Sequence, residues 1–189
     1  GSIQPIKPVY QSLNFIWDFK ITPEIMYGMY NRDYIFILIY ELHRHLEMDK
    51  INMKNIDILT KFIKQTIVYI ANTNTENREF EFTVNGFNPL YYILNFIRKE
   101  YKDIDKLKPQ AVDTYINIFK ELENNGANIL SRHGAFYEIQ DNWQQPDQLL
   151  TYICRYANYD DKIIEFMEYV LELGIDVNDV YLEANEDTD

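Results

Sequence analysis

The stretch Glu41-Leu42-His43-Arg44-His45-Leu46-Glu47 is the chain's densest run of groups able to bind a metal or move a proton. On a helix, Glu41 and His45 lie four apart, as do His43 and Glu47, and either pair could set two ligands on one face. His43 and His45 lie only two apart, so they point about 200° away from each other and cannot join one site from a regular helix. Surface ion pairs at the spacing of four explain the pattern better than a metal centre. The third histidine, His133, falls in a predicted hairpin turn. Cys154, the single cysteine, lies on the predicted buried face of a helix, where a thiol is inert packing. A nucleophile would need a neighbouring histidine in an electropositive pocket. The six glycines are scattered, and none forms a phosphate-cradling spacing. These residues specify no catalytic group, no metal and no cofactor, and the expectation is a protein that is not an enzyme.

The elements that carry these groups are mostly helices. Gly1-Ser2 reads as a cloning remnant, and Pro5 and Pro8 make the following residues irregular. Thr22-Pro23-Glu24 is a helix start, with Thr22 as cap and Pro23 at the first helical position. Asp33 can cap a helix over about 34–47, apolar on nearly all sides at its start and therefore central. A strand over Tyr34 to Tyr40 is the competing reading. Asn55 can cap a helix over 56–71, where Ile56, Leu59, Ile63, Ile67 and Ile70 make one face. Glu79 to Val84 alternates polar and apolar residues, which predicts a half-buried strand, and Asn85-Gly86 predicts the turn after it. Pro89 opens a helix to about 99, with Leu90, Ile93, Leu94 and Ile97 on one face. Residues 100–109 form a charged linker.

A helix over Ala111 to Glu123 buries Val112, Tyr115, Ile116, Phe119 and Leu122, and Gly126 stops it. Residues 129–139 read as a hairpin, and 148–157 as a helix with Leu149, Leu150, Ile153, Cys154 and Ala157 inward. Asp161 to Leu173 is helical, with Ile163, Ile164, Met167, Val170 and Leu171 inward, and Gly174 stops it. The order is helix pair, extended finger, helix pair, extended finger, helix pair. The repeated glycine stop predicts a repeated helix-turn-helix unit.

Composition narrows the partner. The apolar fraction of 47% and aromatic fraction of 15% describe a folded chain with a sizeable core. A net charge of −12 opposes binding to nucleic acid or an anionic membrane. Lys102, Lys106 and Lys108 interleave with Glu100, Asp103 and Asp105 and read as a solvated loop. Sixteen tyrosines suggest base stacking, but most fall at packing positions. One cysteine excludes an internal disulfide, and no Asn-x-Ser/Thr sequon occurs, so an intracellular setting (cytoplasm, or a host cell's cytoplasm or nucleus) is expected. The residues given show no signal-peptide pattern, and Tyr34 to Tyr40 is far short of the roughly 20 residues that span a bilayer.

Gly86-Phe87-Asn88-Pro89-Leu90-Tyr91-Tyr92-Ile93 resembles the Gly-x-Thr-Pro-Leu-His-x-Ala opening of an ankyrin repeat, with Asn88 for Thr, Tyr91 for His and Ile93 for Ala. Leu122 to Ile129 resembles the family's Leu-Leu-x-x-Gly-Ala-Asp-Ile-Asn ending, and Val170 to Asn178 matches it better. The chain thus resembles a divergent ankyrin repeat protein. Similar loop-extended repeats in AT-rich compositions occur in large DNA viruses and some intracellular pathogens. The resemblance implies a mainly α fold, an α-solenoid of about three helix-turn-helix repeats with β-hairpin fingers. It divides a single domain, 3–189, into an N-terminal cap region at 3–32, a degenerate repeat at 33–84, ankyrin-like repeats at 85–129 and 130–178, and an acidic tail at 179–189. Ankyrin repeats run near 33 residues; the extra length here sits at 99–110 and 130–146.

The family implies a protein-binding scaffold, an adaptor or sequestering module. Its contact surface is the concave side, made of fingertips and the first helix of each pair. That surface carries over to Arg78, Phe87, Tyr92, Arg132, His133, Tyr137 and Trp143, with Tyr92 expected to face outward. Phe80, Phe82, Phe136 and Trp143 can alternatively pack the fingers on the neighbouring repeat. The partner would be another protein. A different class, an acidic imitation of nucleic acid that blocks a basic enzyme, draws on the net charge of −12 and needs carboxylates arrayed along one face.

Overall fold

Five α-helices and a 3-10 turn make up the regular structure of a computed structural model that describes residues 22, 33–73, 80, 88–128 and 160–174. The expected cap region, both fingers, the helix at 148–157, most of the C-terminal repeat's opening and the acidic tail lie outside the described residues. The helices are α1 (Tyr34–Leu46), α2 (Met53–Thr73), α3 (Pro89–Lys102), α4 (Pro109–Asn124) and α5 (Asp161–Glu172), with the 3-10 turn Ile104–Lys106 between α3 and α4. The protein is mainly α, and no strand occurs among the described residues.

α1 packs on α2 and α3 packs on α4, each as a helix hairpin; α1 then lies against α3, and α2 against α4. First helix meets first helix and second meets second. The apolar patterning explains the arrangement. Tyr34 to Ile39 are all buried, so the apolar run is the start of a central helix and not a strand. Residues 88–97 are buried without a break, so α3 is central as well. α2 and α4 show the one-sided stripe of helices with a solvent face: Ile56, Leu59, Ile63, Ile67 and Ile70 on α2, and Ala111, Val112, Tyr115, Ile118, Phe119 and Leu122 on α4. Ile118 replaces Ile116 in the expected stripe, and Ile116 is only partly buried.

Helix ends follow local chemistry, with several shifts from the sequence expectation. Asp33 has helical backbone angles and makes no capping bond. α2 starts at Met53 because Asn52, not Asn55, turns the chain: the Asn55 N–H donates to Asn52 Oδ1 at 3.3 Å. Asn88 caps α3, its Oδ1 accepting the Tyr91 N–H at 2.9 Å, and Pro89 takes the first helical position. α3 continues to Lys102, and Pro109 begins α4 instead of ending the linker, because proline's missing N–H costs nothing at a helix's first turn.

Both glycine stops are left-handed, at φ 103° for Gly126 and 91° for Gly174. At the first, Ala127 N–H donates to Leu122 O at 3.0 Å and Gly126 N–H to Glu123 O at 3.1 Å, a complete Schellman closure. At the second, Gly174 N–H donates to Leu171 O at 3.1 Å.

α5 docks on α4 through side chains. Phe166 meets Phe119 edge to face with centroids 4.9 Å apart, and both rings are buried. Tyr169 O–H donates to Glu123 at 3.0 Å, and Lys162 pairs with Asp113. Asp160 joins α5 to α3: its Oδ1 accepts both the Ile163 N–H at 2.9 Å, capping α5, and the Tyr101 O–H at 2.8 Å. The expected inward set on α5 is corrected. Ile163, Phe166 and Val170 are buried, whereas Ile164 and Leu171 are 43% and 38% exposed. Replacing Phe166 with Ala removes the ring that Phe119 packs against. The expected loss of unfolding free energy in urea is about 3–5 kcal/mol; a loss below about 1 kcal/mol contradicts the docking.

Candidate functional site

The groups most able to do chemistry lie on the last two turns of α1, and the helix sends them to two sides as their spacing requires. On one side Glu41 is 3% exposed and receives Arg44 in a two-pronged contact, Nε at 3.1 Å and Nη2 at 2.9 Å, with His45 Nε2 at 3.2 Å. The ion pairs at i, i+3 and i, i+4 are present, but they are not surface pairs: the carboxylate is buried and its partners cover it.

On the other side His43, 6% exposed, bridges two elements. Its Nε2 meets Glu47 Oε1 at 3.0 Å, and its Nδ1 lies 2.8 Å from Tyr115 Oη on α4. Phe96 of α3 stacks on the imidazole, centroids 4.1 Å apart, and also stacks on Tyr115 at 5.7 Å. A carboxylate only accepts, so the proton sits on Nε2, and Nδ1 accepts from the Tyr115 hydroxyl. Burial first, and then the Lys99 ammonium, lower the His43 pKa to about 3, so the ring is neutral at pH 7. Burial, with Glu100 and Glu47 nearby, raises the Tyr115 phenol well above its ordinary range.

A tyrosine, histidine and carboxylate in a row have the layout of a nucleophile, its base and an orienting acid. Here the tyrosine is 0% exposed and held protonated, and Glu47 is the only member of the row that reaches solvent. The row joins α1, α3 and α4 and presents no hydroxyl to a substrate. Among the described residues, no group of three or more His, Cys, Asp and Glu side chains could hold a metal ion.

Of the residues expected to bind a partner, Arg78, Phe87, Arg132, His133, Tyr137 and Trp143 lie outside the described residues, as does Cys154. Tyr92 is corrected: it is 1% exposed and does not face outward. Its ring meets Phe36 of α1 edge-on at 5.2 Å and Phe96 at 5.0 Å, and burial pushes its hydroxyl well above the ordinary range. The expectation treated α3 as one-sided. With Leu90, Tyr91, Ile93, Leu94, Phe96 and Ile97 around it, every side of that helix is core.

Lys108 is a second correction. In place of a solvated loop charge, its ammonium donates to Leu46 O at 3.0 Å and Met48 O at 2.9 Å, satisfying carbonyls at the C-terminal end of α1. Lys106, by contrast, is exposed and pairs with Asp103. No family model, no curated protein and no solved structure matches the chain. Among the described residues no helix is long and apolar enough to cross a membrane.

The neutral, buried His43 sets a pH dependence. Its folded pKa lies below the unfolded value of about 6.5, so the unfolded state takes up the proton first as pH falls. Stability is whole above that value and is lost as pH falls from there toward about 3. Between pH 7 and 5 this group alone lowers the unfolding free energy by about 2 kcal/mol. Glu100, whose pKa burial raises, acts in the opposite sense in acid. Urea titrations of wild type and His43→Gln at both pH values check this: the difference between pH 7 and 5 shrinks in the variant. An unchanged difference contradicts a neutral His43.

Proposed function

We propose that the chain is a protein-binding scaffold of ankyrin type, an adaptor or target-sequestering module without catalytic activity, working inside cells. The observation that carries the proposal is the order of packing. α1 and α2 form one hairpin, α3 and α4 the next, like helix meets like helix between them, and α5 adds to α4. Stacking of successive hairpins is how helical repeat proteins build a shared core and an extended binding surface. Two local features fit the same reading. Asn88-Pro89 opens α3 with the cap-then-proline chemistry of the family's Thr-Pro. Gly126 closes α4 at the position of the family's repeat-ending glycine. The most reactive-looking side chains are buried against one another, which fits a role in packing.

Because α1 and α3 are buried through most of their length, the first helices contribute little to the contact surface in this reading. Binding then falls to the finger residues Arg78, Phe87, Arg132, His133, Tyr137 and Trp143. A second reading, an acidic imitation of nucleic acid, draws on one observation: Asp161, Glu165, Glu168 and Glu172 are all exposed and fall in a row on α5. One row on one short helix covers little of the length of a nucleic-acid strand.

The test is affinity capture from the natural cell type, comparing wild type with the triple variant Arg132→Ala, Tyr137→Ala, Trp143→Ala. Loss of about tenfold or more of the captured partner, with an unchanged urea midpoint, supports the finger surface. Retention of every partner by the variant overturns it.

A further inference from the structure

α5 has one side in the core, one flank on α4 and a far flank that carries two exposed aliphatic side chains. The core side is Ile163, Phe166 and Val170. The flank on α4 carries Lys162, paired with Asp113, and Tyr169, which donates to Glu123 and lies under the Lys120 ammonium at 4.7 Å. Ile164 and Leu171 each lie two residues beyond these, hence about 200° around the helix from them. They form the far flank, 43% and 38% exposed. The two large aliphatic side chains stand one above the other at i, i+7, the spacing of a helix-packing seam.

The rim of that flank identifies what fits it. Asp161, Glu165, Glu168 and Glu172 are exposed beside the two aliphatic residues, and among the described residues none of them makes an ion pair. Lys162 is the only basic residue of α5, and Asp113 takes it. A second copy of the chain would bring a like rim onto this one, within molecules of net charge −12. The acidic segment Glu183 to Asp189 would be repelled in the same way.

We propose that the far flank of α5 docks a basic amphipathic helix of a partner protein. The aliphatic stripe of that helix covers Ile164 and Leu171, and its lysines or arginines pair with the four carboxylates. This is helix-on-helix recognition in which apolar anchors supply affinity and flanking charges select the partner. It rests on the scaffold reading above and names one partner class for it.

The experiment measures fluorescence anisotropy of the full chain with a labelled synthetic helix of about 18 residues, with Leu at i, i+4 and i+7 and Lys on both flanks. A second peptide has the same composition in scrambled order. The chain variants are Ile164→Ser with Leu171→Ser, and Glu165→Gln with Glu168→Gln. All four positions are exposed, and an unchanged urea midpoint verifies that each variant folds.

The ordered peptide is expected to bind wild type, to bind each double variant about tenfold or more weakly, and to lose affinity as salt rises. Four results overturn the proposal: no binding of the ordered peptide; equal binding of the scrambled peptide; equal binding by the Ser double variant, which reduces the interaction to charge alone; or a wild-type dimer in sedimentation that the Ser variant abolishes, which gives the flank to a second copy. If the flank fails while the finger variant still loses its captured partner, the scaffold reading stands and only this site falls.

Discussion

A buried seam of aromatic rings holds α1, α3 and α4 in register. Tyr92 meets Phe36 and Phe96 edge-on, Phe96 stacks on His43, and His43 accepts a hydrogen bond from Tyr115. The chain of contacts runs from α1 to α3 to α4, so each hairpin is tied to the other through its rings. Aromatic pairs of this kind contribute about 0.5–1.5 kcal/mol each beyond the area they bury. The hydrogen bond adds direction: a buried hydroxyl without a partner costs about 1–3 kcal/mol, so a shift of α4 along α1 is penalised. The neutrality of His43 follows from this placement, since a charged imidazole between two rings near Lys99 would be poorly solvated. The two charge clusters on α1 therefore do different jobs. The Glu41 cluster closes on its own helix, and the His43 row reaches across the core.

Much of the fold was legible because it is written in local chemistry. Asn88-Pro89, Gly126 and Gly174 set helix ends through capping and left-handed backbone, which depend on a few adjacent residues. The stripes of α2 and α4 were legible because each helix has one wet face. Helices with no wet face are different. Counting around a wheel puts Tyr92 toward solvent, yet the wheel holds no information once every side is covered. On α5, which has a wet face, the wheel misplaces residues at the border: Ile164 and Leu171 flank the buried stripe yet are 43% and 38% exposed. Lys108 was illegible for another reason: its carbonyl partners, at Leu46 and Met48, are about 60 residues away in sequence. The spacing of two sends His43 and His45 to different sides of α1, but nothing local reveals that Tyr115 completes a buried row.

The scaffold reading and the packing share a logic. Tyr115, His43 and Glu41 are buried among the helices. On α5, exposed carboxylates stand beside the exposed aliphatic residues Ile164 and Leu171. Such a surface suits selection of a partner by charge and apolar anchoring together. The ankyrin resemblance and the hairpin order point the same way from independent observations, one in residues 86–93 and 122–129, the other in which helix meets which.

The seam is the account's central claim, and a double-mutant cycle tests it most directly. Unfolding free energies are measured in urea for wild type, His43→Gln, Tyr115→Phe and the double variant. Contact between the two side chains predicts a coupling energy of about 1–3 kcal/mol. Additive losses, with a coupling below about 0.3 kcal/mol, would mean that the two side chains do not meet and that α1 is not pinned to α4 as described.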